Sequence, residues 1–172
     1  HRLQPPCGMA RSDSFFIRAT VPVGTAFDQT SIDLGSFVDA LGKTVMRIHN
    51  VSVQYGSGAV DIAGAGASAE TNAFWQLTTQ SQGSMLTADN RSVISTGALR
   101  AFSDPTAQVT ALSETTDLNP QDWSGGYLVA VESIFLGSQS VTLAVTQVQV
   151  VLECTVETMT ASASMALALS QQ

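Results

Sequence analysis

His49 is the one internal histidine, so a catalytic triad built on a serine must use it as the general base. The nearby hydroxyls are Ser52 and Ser57, but a Ser-His-Asp arrangement also needs a distant aspartate. No G-x-S-x-G elbow occurs, and Gly56-Ser57-Gly58 reads as a flexible turn. The simpler expectation is a histidine at a strand bend, bonded to backbone. Glycoside cleavage needs two carboxylates across a groove, and Glu132 with Glu153 or Glu157 is the candidate set. Solvated acids on an outer face are the plainer alternative. His1, Cys7, His49 and Cys154 have no zinc-ligand spacing, whereas a calcium site among Asp104, Glu114, Asp117 and Asp122 stays open. Gly64-Ala65-Gly66-Ala67-Ser68-Ala69 lacks the third glycine of a dinucleotide fingerprint and follows no βα unit, so it reads as loop. Trp75, Trp123, Tyr55 and Tyr127 could supply a sugar-stacking platform. Trp75 adjoins Phe74 in a strand, where only one of the two can face inward. Trp123, in NPQDWSGG, reads as a plug anchoring its loop under the fold. Asn50-Val51-Ser52 and Asn90-Arg91-Ser92 are glycosylation triplets. With no coherent set among these residues, the expectation is a protein that is not an enzyme, with no catalytic, cofactor-binding or metal residues and no cofactor.

Composition narrows the class. The chain has 172 residues, 44% apolar and only 12% charged, which favours one self-sufficient core and argues against disorder. Its surface must be solubilised by 20 Ser, 18 Thr and 13 Gln more than by charge. Net charge is −7, Lys43 is the only lysine, and Arg2, Arg11, Arg18, Arg47, Arg91 and Arg100 are scattered singly. Sequence-specific nucleic-acid binding is therefore not expected. Cys7 and Cys154 could form one disulfide between the N-terminal arm and a late strand, or remain two buried thiols. The richest apolar stretch, Val141 to Val156, is interrupted by Thr142, Thr146, Gln147, Gln149 and Glu153, too often for a membrane helix, so a soluble chain is expected. The chain starts at His1, as expected if a preceding segment is removed by processing or lies outside this sequence.

The elements that must position these residues are mostly strands. Residues 1–13, with Pro5-Pro6, read as an extended arm. Phe15, Ile17, Ala19 and Val21 alternate with Phe16, Arg18 and Thr20 in a first strand that stops at Pro22. Ser36 to Leu41, closed by Gly42, has the signals of a helix of about one and a half turns. Lys43 to Tyr55 is a strand whose apolar phase switches at His49-Asn50, which predicts a bulge. Gly-flanked Ala59 to Ala63 reads as a hairpin or loop. Ala73 to Gln80 and Ser92 to Phe102 follow as strands, the latter weakened by Gly97. Met85 to Arg91 between them reads as a loop with a helical turn. Residues 103–126 are expected to be the longest loop. Tyr127 to Leu136 and Val141 to Val156 read as strands joined by the turn GSQS, the second bent near Thr146. In the tail, Met165, Leu167 and Leu169 at period two suggest an edge strand for a neighbouring molecule.

Seven or eight strands and no helix above about two turns predict an all-β antiparallel β-sandwich. Strands bent at their middles suit a single eight-stranded jelly roll spanning residues 14–157, with extended N- and C-terminal arms at 1–13 and 158–172. Three stretches, SIDLGSFVDALGKTVMRIHNVSVQY (Ser31 to Tyr55), GGYLVAVESIFLG (Gly125 to Gly137) and VTLAVTQVQVVLECTVE, carry a resemblance. In pattern and element order they are similar to single jelly-roll major capsid proteins of tailless icosahedral viruses, particularly those of archaea. The resemblance implies a virion subunit that assembles into pseudo-hexameric capsomers with its sandwich upright on the shell. Its partners would be copies of itself, a second capsid protein, and an underlying membrane or inner protein layer. The chain lacks the acidity expected of haloarchaeal members and has no basic inner arm. Two other classes remain: an extracellular filament or surface-layer subunit polymerising by strand donation from 1–13 or the tail, and a secreted carbohydrate-binding or carbohydrate-cleaving sandwich.

Overall fold

The computed structural model describes residues 11–39, 43–56, 66–142 and 147–172. One sheet holds β1 (Phe15–Pro22), β3 (Thr44–Tyr55), β7 (Tyr127–Val129) and β9 (Gln147–Thr158) in the order β1-β9-β3-β7. The other holds β2 (Asp28–Asp33), β4 (Glu70–Thr78), β5 (Val93–Ser103), β6 (Val109–Leu118) and β8 (Ser133–Gln139) in the order β2-β8-β4-β5-β6. The result is an all-β, two-sheet antiparallel sandwich with nine strands among the described residues. Its pairings nest: β1 with β9, β2 with β8, β3 with β7 and β4 with β5, all antiparallel.

Apolar side chains from both sheets fill the space between them. Met46, Ile48 and Leu152 come from one sheet, and Trp75, Leu77, Leu99, Ile134 and Leu136 from the other. Trp75 is fully buried while its neighbour Phe74 turns to the outer face, as pleating requires. The indole Nε1 donates to the Tyr55 hydroxyl at 2.8 Å, which joins the two sheets through the core. Gly97, opposite Trp75 in register, is needed for clearance: a Cβ there would stand 2.6 Å from Trp75 Nε1 and 2.8 Å from the Thr115 carbonyl oxygen.

The alternation read in β1 is present, with Phe15, Ile17, Ala19 and Val21 turned toward the core. The phase switch read in β3 is a register shift between Ile48 and Asn50, placing His49 at the irregularity. Several expectations need correction. The longest loop is interrupted by a ten-residue strand, β6, laid along β5. Tyr127 to Leu136 is divided: β7 belongs to one sheet and β8 to the other, with Ala130 to Glu132 making the crossing. GSQS is no hairpin turn, because Gly137, Ser138 and Gln139 finish β8. Met85 to Arg91 is loop, as read, with a turn in which the Asn90 N–H returns to the Thr87 carbonyl oxygen at 3.1 Å. In the expected short helix at Ser36, the N–H groups of Phe37 and Val38 both return to the Leu34 carbonyl oxygen at 2.8 and 2.9 Å, which is a turn. Residues 40–42 of that segment lie outside the described residues, as do 1–10, the 59–63 excursion and the bend at Thr146. At the described end of the N-terminal arm, Ser12 N–H donates to the Val156 carbonyl oxygen at 2.9 Å, so residues 11–12 extend the β1–β9 ladder of their own chain.

The largest correction concerns the tail. It is an α-helix, α1 (Ala161–Ser170), and not an extended arm or a donated edge strand. Ala, Leu and Met favour the helix, and the Thr160 hydroxyl caps it by accepting from Ala163 N at 3.3 Å. Ala168 buries against Val45 and Ala130. One turn on, Gln171 behaves like a strand partner for β7: its Oε1 accepts from Ala130 N at 2.8 Å and its Nε2 donates to Leu128 O at 2.7 Å. Placing a carboxylate in that contact with Ala168→Asp is expected to detach α1 while leaving the sandwich folded. Hydrogen exchange checks this: the Ala130 amide should lose its protection, and the β4 and β5 amides should keep theirs.

Candidate functional site

The outer face of the four-stranded sheet brings together four of the side chains expected to do chemistry: His49, Ser52, Glu153 and Glu157. His49 Nε2 lies 2.8 Å from Thr155 Oγ1, a side-chain hydroxyl and not the backbone partner expected. Ser52 is exposed on the same strand without engaging it, and Ser57 lies outside the described residues. Asn50 Nδ2 donates to Glu153 Oε1 at 3.1 Å. Glu157, expected as a solvated acid, has a side chain only 4% exposed. Arg47 grips it through Nε at 2.5 Å and Nη2 at 2.9 Å, while Arg11 adds Nε at 3.0 Å. Hydrogen bonding from Arg47 holds the Glu157 carboxyl below the usual carboxylate range and raises the Arg47 guanidinium. Arg47 Nη1 also reaches the Gly125 carbonyl oxygen. One buried carboxylate therefore ties the described start of the chain, β3, β9 and the turn before β7 together, which is an anchoring role.

The other candidates are dispersed. Glu132 is exposed on the crossing between β7 and β8, so the three glutamates have three separate settings. Among the described residues no three His, Cys, Asp or Glu side chains converge to hold a metal ion. Asp104, proposed as a calcium ligand, instead closes its own turn. Its Oδ1 accepts from Thr106 Oγ1 at 2.7 Å, Thr106 N at 2.8 Å and Gln108 N at 3.0 Å, bonds that lower its pKa. Cys154 is a buried free thiol, pushed up to about 12 mainly by burial, and Cys7 lies outside the described residues. Nor do the aromatic residues form a platform. Trp75 and Tyr55 are inside, with burial raising the Tyr55 hydroxyl to about 12. Tyr127 is half-buried, and Trp123 is 55% exposed and so does not plug its loop. Of the two glycosylation triplets, Asn90 is exposed at a turn where its Oδ1 accepts from Ser92 N, and Asn50 is engaged on β3.

A groove that sequence reasoning missed opens on the outer face of the five-stranded sheet. The loop after β4 is held there by Gln76, whose Nε2 donates to Ser84 O at 3.0 Å and whose Oε1 accepts from Leu86 N at 2.7 Å. Between loop and sheet lies a cavity of about 660 Å³ with Phe74 in its floor, Met85 and Leu86 in its wall, and Arg100, Asp117 and Gln139 at its margins. The Arg100 guanidinium carbon sits 5.1 Å from the centre of the Phe74 ring. Only the outward phase of Phe74 pointed to this in the sequence; the rest depends on β6, whose residues read as loop.

Fold and site define an antiparallel β-sandwich in which His49, Asn50, Asp104 and Glu157 are engaged by its own strands and turns. No protein-family model matches the chain, and neither does any curated protein. No helix among the described residues is long and apolar enough to cross a membrane.

Proposed function

We propose that this chain is a shell-forming structural subunit, a viral major capsid protein of single jelly-roll type, that assembles with copies of itself. The observation that carries the reading is where its exposed apolar side chains lie. Phe16 stands on β1, Leu112 on β6, Trp123 before β7, Val141 after β8, and Met165 and Leu169 on α1. Isolated exposed apolar groups are ordinary, but here they occur on several sides of a body with few charges, as expected of a subunit contacted from several directions. The nested strand order supports the jelly roll: without β6, the sheets β1-β9-β3-β7 and β2-β8-β4-β5 are one antiparallel ribbon rolled up. The sequence resemblance points the same way, with a second capsid protein and a membrane or inner protein layer as further partners. The virion is the corresponding location.

Strand donation into a filament loses one of its two donors, since the tail is helical. Native mass by light scattering with negative-stain imaging tests the reading. Closed shells of uniform diameter are the expected result. Open filaments would overturn it in favour of a surface polymer. A monodisperse species near 18.0 kDa that binds glycans would overturn it in favour of a carbohydrate module using the Phe74 groove.

A further inference from the structure

Four strands lie at sheet edges, and they are not alike. β7 is covered by the Gln171 amide. β2 has six residues, and its Asp28 and Asp33 carboxylates accept from the N–H groups of Gln29 and Gly35. β1 and β6 have eight and ten residues, and among the described residues each pairs along one side only. Long open edges are the places where another strand adds.

The two open edges occupy opposite flanks. β1 packs across β2 and β8, at one end of the sandwich, while β6 ends the other sheet beyond β5. β6 also overhangs: Leu112 and Glu114 pair with Ala101 and Leu99, so they share the inward phase, yet both are exposed and Leu112 is 60% exposed. The edges are complementary in charge as well. β6 carries Glu114 and Asp117 with no basic residue, and β1 carries Arg18 with no acid, Arg18 lying over the ring of exposed Phe16.

We propose that β6 of one copy pairs with β1 of the next, antiparallel, with Arg18 facing Glu114. The inference rests on the assembly reading only in that copies must meet; it adds which flank meets which. Direction follows from the fold. β2, β4 and β6 run in the same sense through the alternating antiparallel pairs, and β1, joined to β2 by residues 23–27, runs in the opposite sense. Rotation about an axis along the strands preserves those senses, so neighbouring edges meet antiparallel. Such a contact uses two different surfaces, so it propagates into a ring where the rotation closes.

Cysteine cross-linking of the full chain tests this. In the proposed register Thr20 faces Leu112. Both are exposed, so Thr20→Cys and Leu112→Cys, each in a Cys7→Ser chain whose remaining thiol is the buried Cys154, should fold. On oxidation each variant alone should form no inter-chain disulfide, an equal mixture should give a disulfide-linked dimer, and a chain carrying both should give a ladder. Glu114→Arg introduced beside Leu112→Cys should slow mixed-dimer formation about tenfold, and Arg18→Glu beside Thr20→Cys should restore it. Self-cross-linking of Leu112→Cys would overturn the proposal in favour of a two-fold β6 contact. Absence of the mixed dimer overturns it outright. Imaging the unmodified chain in parallel separates that failure from failure of the shell reading: shells without the mixed dimer leave the subunit role standing with a different contact.

Discussion

Trp75→Ala is expected to destabilise the sandwich by about 3–5 kcal/mol, read as a lower urea midpoint at unchanged slope. Trp75 is the largest fully buried side chain, set between β4 and the strands of the facing sheet. Its removal opens a cavity that β4, paired on both sides by β5 and β8, cannot move to fill. It also strips the Tyr55 hydroxyl of its indole donor. Trp75→Phe should cost less, because the ring restores apolar volume and only the hydrogen bond is lost. Coupling to Gly97 gives a sharper check. Gly97→Ala collides with Trp75 in the native chain, so its penalty should be smaller beside Trp75→Ala, although the Thr115 carbonyl still crowds it.

Arg47→Ala is the second large effect, expected at about 3 kcal/mol because it leaves the buried Glu157 carboxylate with only the partly exposed Arg11. Replacing both partners, as Arg47→Met with Glu157→Leu, should recover most of the loss, since the desolvation cost disappears with the charge. The same site sets an acid dependence. The Glu157 carboxyl titrates below its unfolded value, so its contribution is present above the ordinary glutamate range and is lost as pH falls through the depressed value. Thermal unfolding at a series of pH values should therefore show a decline in acid that Glu157→Gln flattens.

Strands packed on one face were legible in the sequence. Phe15, Ile17, Ala19 and Val21 in β1 advertise their inward face, and the switch at His49 shows because core residues stand on both sides of it. β6 and β2 left no such pattern. Nine of the ten β6 residues are exposed, so nothing selected alternating polarity there. β2 is a short edge strand with Ile32 as its only buried residue. The β7–β8 division was hidden for the opposite reason: Val129 to Val131 are buried through the crossing, so the apolar run never breaks. In α1 the period-two residues Met165, Leu167 and Leu169 misled, because helix packing is set by Ser164, Ala168 and Gln171, three small or polar residues at helical spacing. The candidate acids and aromatics could be named from the sequence. Their partners could not, since the Arg11–Glu157, Arg47–Glu157 and His49–Thr155 contacts join residues more than a hundred positions apart.

The nested pairing has a consequence for timing. β1 leaves the ribosome well before its ladder partner β9, with Phe15 facing Cys154 in the finished sheet. At typical translation speeds β9 follows on the order of 10 s later. Throughout that interval the Phe15–Val21 row has no sheet to join, and the Arg11–Glu157 clasp cannot close. The edge of β1 becomes a defined surface only when β9 has been made. Were copies to pair through this edge as proposed, nascent chains still lacking β9 could not yet offer it.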